Sequence, residues 1–373
     1  MVRIDFITGS RAEFGILLPL IKTLKTHPCF DVGVLVFGTH LDPSHGHTIN
    51  EIVDEGILVR QQFPIFVKET TNVQVVEMMA DLMKALANYW VGPNARPDLV
   101  IALGDRYEMQ AAVQAAAILG IEVAHIHGGE TTLGAIDNMF RHQITLASKI
   151  HFPAHSTFAA RISQILDSNE SIYPVGSLSV EAISKRPKSA FEQVISDLSL
   201  YPKDPYILCT LHPETFDSSL DDQKKKAEIF SDVILALPYQ AIVSLPNADV
   251  FGDVIRETLF HKLSDCSRIV LTESLGVNRY YTLLSEALFL LGNSSSGIIE
   301  AASFKKFVIN LGERQKGRLT GNNVFHLPFD RDLILSKAKE IEAQPFYEGE
   351  NPYGGGDTSV KILNILLDKY GCS

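Results

Sequence analysis

The sequence predicts an α/β protein with two doubly wound domains, each a parallel sheet with helices on both faces. Short apolar runs alternate with helix-length segments along the 373 residues, which is typical of parallel strands buried on both faces. The alternation restarts after 173–176 (Tyr-Pro-Val-Gly), and the chain is too long for one ordinary core. Charged residues directly follow several of these apolar runs. They would lie at the carboxyl ends of parallel strands, which is where open α/β sheets bind ligands.

The first domain is predicted over residues 1–174. A glycine-containing turn at 8–11 leads from the first strand into an apolar helix, Ile16–Leu24. Methionines and leucines recur at helical spacing over Asn72–Asn88, which predicts an amphipathic helix with methionine in the core. The predicted strands are Ile4–Ile7, Val32–Phe37, Leu99–Leu103, Ile121–His125 and Ile150–Phe152.

The second domain is predicted over residues 175–354. The segment 355–373 is predicted to cross back to the first domain, because the helix Ser359–Lys369 follows a glycine run, Gly354–Gly356. The predicted strands of the second sheet are Ile207–Leu211, Ala241–Leu245, Ile269–Leu271, Leu288–Leu291 and Phe307–Leu311.

Composition narrows the possible partners and location. Apolar residues make up 46% of the chain and the net charge is −11, so we expect a packed globular protein that does not bind nucleic acid. The N-terminus is predicted to be a strand rather than a signal peptide, and the apolar runs are too short to span a bilayer. We therefore expect a soluble, cytoplasmic protein without membrane contact. Scattered cysteines predict reduced thiols: Cys29, Cys209, Cys266 and Cys372.

The segment 100–148 carries the densest chemistry. It contains Gly-Asp-Arg at 104–106, His-Ile-His-Gly-Gly-Glu at 125–130, and an aspartate followed four residues later by Arg-His. An ordinary surface loop is the alternative, but so much flanking glycine and apolar sequence argues against it. The catalytic candidates are Asp105, His127, Glu130 and Asp137.

Three loops are candidates for binding an anion. The turn 9–15 offers glycines, free helix-start amides and Arg11, although alone it is a weak signal and matches neither GxGxxG nor Walker A. The run Gly-Asn-Ser-Ser-Ser-Gly at 292–297 opens a helix, with Glu300 placed to accept from a vicinal diol such as ribose. Helix capping alone would need fewer serines. The segment 311–318 adds three cations, and His212 ends another strand.

Taken in order, these motifs resemble the hydrolysing UDP-N-acetylglucosamine 2-epimerase family of sialic acid and related nonulosonate biosynthesis. The motifs are Gly-Asp-Arg, His-Ile-x-Gly-Gly-Glu, Ile-Asp with a later Arg-His, His-Pro-Glu-Thr, Gly-Asn-Ser-Ser-x-Gly with a later Glu, and Gly-x-Arg-Gln-x-Gly-Arg. The resemblance extends from Ile4 to about Arg318.

The resemblance implies two Rossmann-like domains that face a cleft, as in glycosyltransferase-B folds, with sugar-side catalysis in the first and UDP binding in the second. It implies conversion of UDP-GlcNAc to ManNAc and UDP, in capsule-type polysaccharide pathways, without a cofactor or metal. Family catalytic carboxylates map to Asp105 and Asp137, whereas His127 stands where some relatives carry Glu. The substrate-binding set, extended by neighbouring residues, is Arg11, His40, Arg106, His142, His212, Ser294, Ser295, Ser296, Gly297, Glu300, Arg314 and Arg318.

Several alternatives stay open at the level of sequence. The same chemistry on UDP-2,4-diacetamido-2,4,6-trideoxyglucose is one, and a non-hydrolysing epimerase is another. A glycosyltransferase of the same fold would need an acceptor sugar, and a non-catalytic sensor would bind a UDP-sugar without turnover. His125 and His127, two apart on one strand face, would bind zinc with Glu130 if a further ligand joined them. We also expect a homo-oligomer, either a dimer or a tetramer.

Overall fold

The computed structural model describes residues 1–43, 47–66, 71–133, 136–185, 190–214, 219–246, 251–344, 346–354 and 356–372. The chain divides into two compact units, each with its own sheet. The first unit comprises Met1–Glu130, Asp137–Ser184 and Tyr353–Ser373, and the second comprises Thr131–Ile136 and Lys185–Pro352. Thr215 of the His-Pro-Glu-Thr motif and Gly355 of the glycine run lie outside the described residues.

The first unit has, within the described part of the chain, a six-stranded parallel sheet in the doubly wound order β3-β2-β1-β4-β5-β6. Its strands are β1 (Val2–Thr8), β2 (Phe30–Val36), β3 (Val59–Gln62), β4 (Leu99–Leu103), β5 (Glu122–Ile126) and β6 (Ile150–Phe152). Its helices are α1 (Arg11–Lys25), α2 (Ile49–Asp54), α3 (Asn72–Trp90), α4 (Tyr107–Ile118), α5 (Asp137–Ala147), α6 (Ser156–Leu166), α7 (Leu178–Lys185) and α14 (Thr358–Tyr370).

The second unit repeats this topology, with the described strands in the order β12-β11-β10-β7-β8-β9. Its strands are β7 (Tyr206–Thr210), β8 (Gln240–Ser244), β9 (Ile269–Thr272), β10 (Phe289–Gly292), β11 (Phe307–Leu311) and β12 (Val324–Leu327). Its helices are α8 (Phe191–Asp197), α9 (Leu220–Ala236), α10 (Gly252–Leu263), α11 (Val277–Glu286), α12 (Ser295–Ile299) and α13 (Arg331–Ala343). The prediction of two doubly wound α/β domains is therefore confirmed.

The burial of apolar side chains explains which helices and strands could be predicted from the sequence. Central strands such as β4 are buried along their whole length, and α3 buries Met78, Leu82, Leu86 and Trp90 at four-residue spacing. The predicted strands lie within two residues of the observed ones. The edge strands β3 and β12 were not predicted, because β3 has no buried residue and β12 has one, so their apolar pattern is weak.

The two units divide at 184/185 rather than at the predicted 174/175, because α7 packs in the first unit. Leu178 is part of the first unit's core, and the buried Glu181 carboxylate accepts from the backbone N–H and hydroxyl of Ser359 at 2.6 and 2.5 Å. The helix α14 thus belongs to the first unit. There it packs against α1, and Tyr370 donates to Glu122 at 3.2 Å.

Cys29 and Cys372 are joined in a disulfide, which contradicts the prediction that all four thiols are reduced. The two cysteines are 343 residues apart in sequence, so only the packing of α14 in the first unit brings them together. Cys209 is buried and free, and Cys266 is half-buried and free. None of the described helices is both long and apolar enough to cross a membrane.

Candidate functional site

In the first unit, the predicted catalytic residues gather where β4 and β5 end. Gly104 follows β4 with φ +83°, and its N–H donates to the carbonyl of Ile126 at 3.0 Å, which joins the two strand ends. His127 follows β5 with φ +63°. Gly129 has φ +76°, and a Cβ there would lie 2.4 Å from the carbonyl oxygen of Phe158, so no larger residue fits. The local backbone therefore turns the 127–130 segment back towards the residues that follow β4.

Arg141, which was not among the predicted site residues, is the centre of this cluster. It lies on α5, its side chain is 2% exposed, and its guanidinium donates to the Asp105 carboxylate. It also donates to the carbonyl of His127 at 2.8 Å and lies 3.7 Å from the Glu130 carboxylate. A planar guanidinium can hold several acceptors at fixed angles. We call Asp105, His127, Glu130 and Arg141 the Arg141 network.

His127 and Glu130 are paired within this network. Nδ1 of His127 lies 3.3 Å from Oε1 of Glu130, and Nε2 shares a 3.4 Å hydrogen bond with the hydroxyl of the buried Ser177. Glu130 is 1% exposed, whereas the side chain of Asp105 is 21% exposed. Of the two acids, Asp105 is therefore the one that a bound molecule can reach, and Glu130 is placed to orient His127 and Arg141.

His125 and His127 do not share a strand face, because β5 ends at Ile126 and His127 adopts a positive φ. The imidazole of His125 contacts the carbonyl of Gly104 at 2.8 Å and the hydroxyl of Thr145 at 3.2 Å. Burial lowers its pKa to about 3, so it is neutral at pH 7. Within the described residues, no three His, Cys, Asp or Glu side chains are arranged to hold a metal ion.

The remaining first-unit candidates are Asp137, His142 and His40, and the negative charge of Asp137 acts on the Arg141 guanidinium, as do those of Asp105 and Glu130. Asp137 is the first residue of α5 and is partly buried. Burial, followed by the charges of Arg141 and Arg161, lowers the pKa of His142. His40 is fully buried between the hydroxyls of Thr8 (3.0 Å) and Thr48 (2.9 Å). Burial lowers the pKa of His40 to about 4, so its imidazole is a neutral interior group at pH 7.

The turn after β1 was predicted to leave its amides free for a phosphate, and for two of them this is wrong. The N–H groups of Gly9 and Ser10 donate to the Glu13 carboxylate at 2.8 and 3.1 Å, in a capping box at the start of α1. Arg11 pairs with both carboxylate oxygens of Glu51, at 2.6 and 2.9 Å. A glutamate three residues after a serine is the sequence signal that was missed.

A buried acid pair lies beneath this turn. Arg106, a predicted substrate contact, pairs with both oxygens of the Glu108 carboxylate at 3.1 and 3.2 Å. Glu108 is 2% exposed and Glu13 is 8% exposed. Burial, and then the charge of Glu108, raises the pKa of Glu13 to about 7. A carboxyl group that changes charge near neutral pH therefore lies at the carboxyl ends of β1 and β4.

In the second unit, Asn293 joins three of the predicted loops. It is fully buried, accepts from the N–H of His212 at 2.7 Å and donates to the His212 carbonyl at 2.8 Å. Its own carbonyl accepts from Arg314 at 3.2 Å and from Gln315 at 2.7 Å. We call His212, Asn293, Arg314 and Gln315 the Asn293 network. Asn293 was part of a quoted motif, but it was not predicted to be a site residue.

Glu214 fixes the loop that carries the predicted cations. Its carboxylate accepts from the N–H groups of Glu313 and Arg314 at 2.6 and 3.0 Å and pairs with Lys226 at 2.5 Å. Among the described residues, the Arg314 guanidinium bonds only to a carbonyl, that of Asn293. Arg318 belongs to the same turn, where its N–H donates to the carbonyl of Gln315 at 3.2 Å. The loop therefore presents a cation, Arg314, that is held by a neutral partner.

The serines of the run 294–296 have different hydrogen-bond partners. Ser294 is the N-cap of α12, and its hydroxyl accepts from the N–H of Ser296. The Ser296 hydroxyl donates to Glu300 at 2.6 Å, so it serves a carboxylate of the chain. Ser295 opens the helix between them. A Cβ on Gly297 would lie 2.9 Å from Val308, so this glycine allows α12 to pack closely on β11.

A family model described as UDP-N-acetylglucosamine 2-epimerase matches residues 22–367. The chain belongs to this family. A UDP-N,N'-diacetylbacillosamine 2-epimerase (hydrolyzing) from Legionella pneumophila is 32% identical over 365 residues, which cover 98% of this chain and 95% of that protein. The polysialic acid biosynthesis protein P7 of Escherichia coli is 30% identical, covering 99% of this chain and 94% of that protein.

Among solved structures, the UDP-GlcNAc 2-epimerase of Neisseria meningitidis bound to UDP-GlcNAc superposes with a TM-score of 0.83 at 17% identity. The superposition covers 98% of this chain and 100% of that one, and it supports the two-domain Rossmann-like fold. The family predicted from the ordered motifs is thus confirmed, and the chain is an enzyme of the UDP-GlcNAc 2-epimerase class.

Proposed function

We propose that the chain is a hydrolysing 2-epimerase that converts UDP-GlcNAc to ManNAc and UDP. The Arg141 network is the observation that carries this proposal, because it places a partly exposed carboxylate beside a buried histidine–glutamate pair. Such a set can remove and return a proton at one carbon. The relative from Legionella pneumophila, which covers nearly the whole chain, is named as a hydrolysing enzyme, and this supports the hydrolytic form.

The first half-reaction is an elimination. A carboxylate, Asp105 or Asp137, takes the proton from C2 of the sugar, and the C2–H electrons form the C1–C2 double bond. The C1–O bond breaks, and UDP leaves with its electron pair. In an α-linked GlcNAc nucleotide the two bonds are trans and axial, which suits this concerted geometry. Arginine charge stabilises the departing diphosphate.

The second half-reaction is a hydration. Water adds its oxygen to C1 of the glycal and loses a proton, while an acid delivers a proton to C2 from the opposite face. The free sugar that results is the 2-epimer. We assign these proton transfers to Asp105, Asp137 and His127, with Glu130 orienting His127. Neither half-reaction requires a cofactor.

In this proposal the Asn293 network and the Ser294–Glu300 segment bind UDP. Arg314 faces the diphosphate, and Glu300 accepts from the ribose hydroxyls. The support is chemical, because a carbonyl-held guanidinium retains its affinity for an anion and a carboxylate suits a vicinal diol. We further propose that the enzyme acts in the cytoplasm in a sialic acid or related nonulosonate pathway, as a homo-oligomer.

A second substrate is favoured by one specific observation. The relative that is 32% identical is named for UDP-N,N'-diacetylbacillosamine, a 2,4-diacetamido-2,4,6-trideoxy sugar nucleotide. The second candidate function is therefore the same reaction on that sugar, with His127 at the position where some family members carry glutamate.

The deciding experiment offers each UDP-sugar separately in D2O and follows the products by NMR. We expect equal amounts of UDP and a free 2-epimerised sugar that carries deuterium at C2, from one of the two substrates. A UDP-linked epimer without free sugar would establish the non-hydrolysing reaction instead. UDP release that requires an acceptor sugar would indicate a glycosyltransferase, and binding without turnover would indicate a sensor. The Asp105→Asn variant is the matched control for background hydrolysis.

A further inference from the structure

Tyr280, a partly buried residue on α11, shares a hydrogen bond with the serine run. Its hydroxyl lies 2.5 Å from the hydroxyl of Ser296, and Ser296 in turn donates to Glu300 at 2.6 Å. We call Tyr280, Ser296 and Glu300 the hydroxyl chain. Tyr280 also lines a small cavity with Thr210 and Ser294 at the carboxyl ends of β7 and β10. No sequence motif pointed to this tyrosine, because it comes from a separate helix.

The direction of the hydroxyl chain follows from counting protons. An ionised carboxylate only accepts, so the single proton of the Ser296 hydroxyl goes to Glu300. The Ser296 oxygen must then accept from Tyr280, which has to keep its own proton. Burial, and then the negative charge of Glu300, raises the pKa of Tyr280, so its hydroxyl stays protonated at neutral pH. The three groups therefore have one consistent arrangement.

We propose that Tyr280 is a positioning residue for the ribose of the bound nucleotide, acting through Ser296 on the Glu300 carboxylate. This inference rests on the proposed function, in which Glu300 accepts from the ribose diol. Without the Tyr280 hydroxyl, Ser296 loses its donor and is no longer held towards Glu300. The carboxylate then has to be ordered when the ribose binds, which weakens binding. Ser296 thereby serves the ribose side of the nucleotide rather than the phosphates.

The test compares Tyr280→Phe with Tyr206→Phe by calorimetric titration of the full chain with UDP and with 2′,3′-dideoxy-UDP. Tyr206 is a matched control, because its buried hydroxyl donates at 2.6 Å to the carbonyl of Leu283, on the same helix α11, and does not touch the hydroxyl chain. We expect Tyr280→Phe to weaken UDP binding by about 3–10-fold, the effect of one hydrogen bond. We expect its affinity for dideoxy-UDP to match the wild-type affinity, and Tyr206→Phe to resemble wild type with both ligands.

A second variant guards against a simple packing defect. Ser296→Ala breaks the hydroxyl chain at its middle member, so adding Tyr280→Phe to it should cost no further UDP affinity. Additive losses, equal losses with both nucleotides, or unchanged UDP affinity in Tyr280→Phe would each overturn the inference and leave the proposed function standing. A wild-type chain that does not bind UDP would overturn both.

Discussion

The Arg141 network of the first unit and the Asn293 network of the second both lie at the carboxyl ends of parallel strands. They differ in chemistry, because charged groups hold the first network together and neutral amide and carbonyl groups hold the second. In the first, a 2% exposed guanidinium holds Asp105 and lies near Glu130, so charges compensate one another. In the second, a neutral, fully buried Asn293 holds a histidine backbone and an arginine through amide and carbonyl groups.

In the proposed function, this difference corresponds to separate tasks for the two networks. Carboxylates and a histidine held at fixed distances are suited to moving protons. A cation held by a neutral scaffold keeps its charge for an anionic ligand. The topology is the same in both units, so the site chemistry follows from the side chains at the strand ends and not from the fold.

The strongest test of this division is to neutralise the acids of the first unit. Asp105→Asn and Asp137→Asn should each lower turnover by about 10³-fold or more, because an amide can neither accept the C2 proton nor return one. UDP affinity should stay within about twofold of wild type. UDP release in a coupled assay and calorimetric titration measure the two quantities, with the exposed Asp81→Asn as control. A large loss of UDP affinity with normal turnover of bound substrate would contradict the division.

His127 sharpens the comparison within the first network. His127→Ala should lower turnover by roughly 10²-fold if the imidazole transfers a proton. His127→Glu separates two roles. A change in the preferred UDP-sugar would identify a specificity contact, whereas a shifted pH–rate profile on one sugar would identify proton transfer. Normal rate and normal preference in His127→Ala would remove this residue from the mechanism.

The buried acid pair predicts a pH dependence of stability. The folded pKa of Glu13, about 7, exceeds its ordinary value of 4.5, so the folded chain binds this proton more tightly. The associated stability is full below about pH 4.5 and is lost as the pH rises through about 7. Relative to wild type, Glu13→Gln should gain about 2–3 kcal/mol in free energy of unfolding between pH 5 and pH 8.

Urea unfolding at the two pH values measures this gain. Glu55→Gln, at a half-exposed carboxylate that pairs with Lys22, is the control and should show no such trend. An equal effect of Glu13→Gln at both pH values would show that the pKa of Glu13 is not raised in the folded chain.

The smallest expected effect belongs to the second unit. Glu300→Ala should weaken UDP binding by about tenfold, because the ribose loses a charged acceptor. Turnover at saturating substrate should change less, since the ribose is remote from C2. Glu286→Ala, at the end of α11, is the control. A Glu300→Ala variant with wild-type UDP affinity would remove Glu300 from the nucleotide site.

Most strands could be predicted from the sequence, because parallel strands that are buried on both faces consist of continuous apolar runs. The half-buried edge strands β3 and β12 leave weaker patterns, and they were not predicted. The prediction that all four cysteines are reduced was wrong, since the Cys29–Cys372 disulfide depends on where α14 packs. Asp105 and His127 were predicted as site residues because catalytic residue types beside glycine stand out at strand ends, and both lie in the Arg141 network.

The sequence by itself determined the class of fold, the family and the places where chemistry is concentrated, since periodicity and local motifs act over a few residues. Only the tertiary structure decided how the polar groups pair. Glu13 occupies amides that were expected to bind phosphate, Arg141 organises the acids, and Tyr280 reaches Ser296 from another helix. The physical reason is that hydrogen bonds and ion pairs are short-ranged, so their partners depend on which strand ends meet in space and not on distance along the chain.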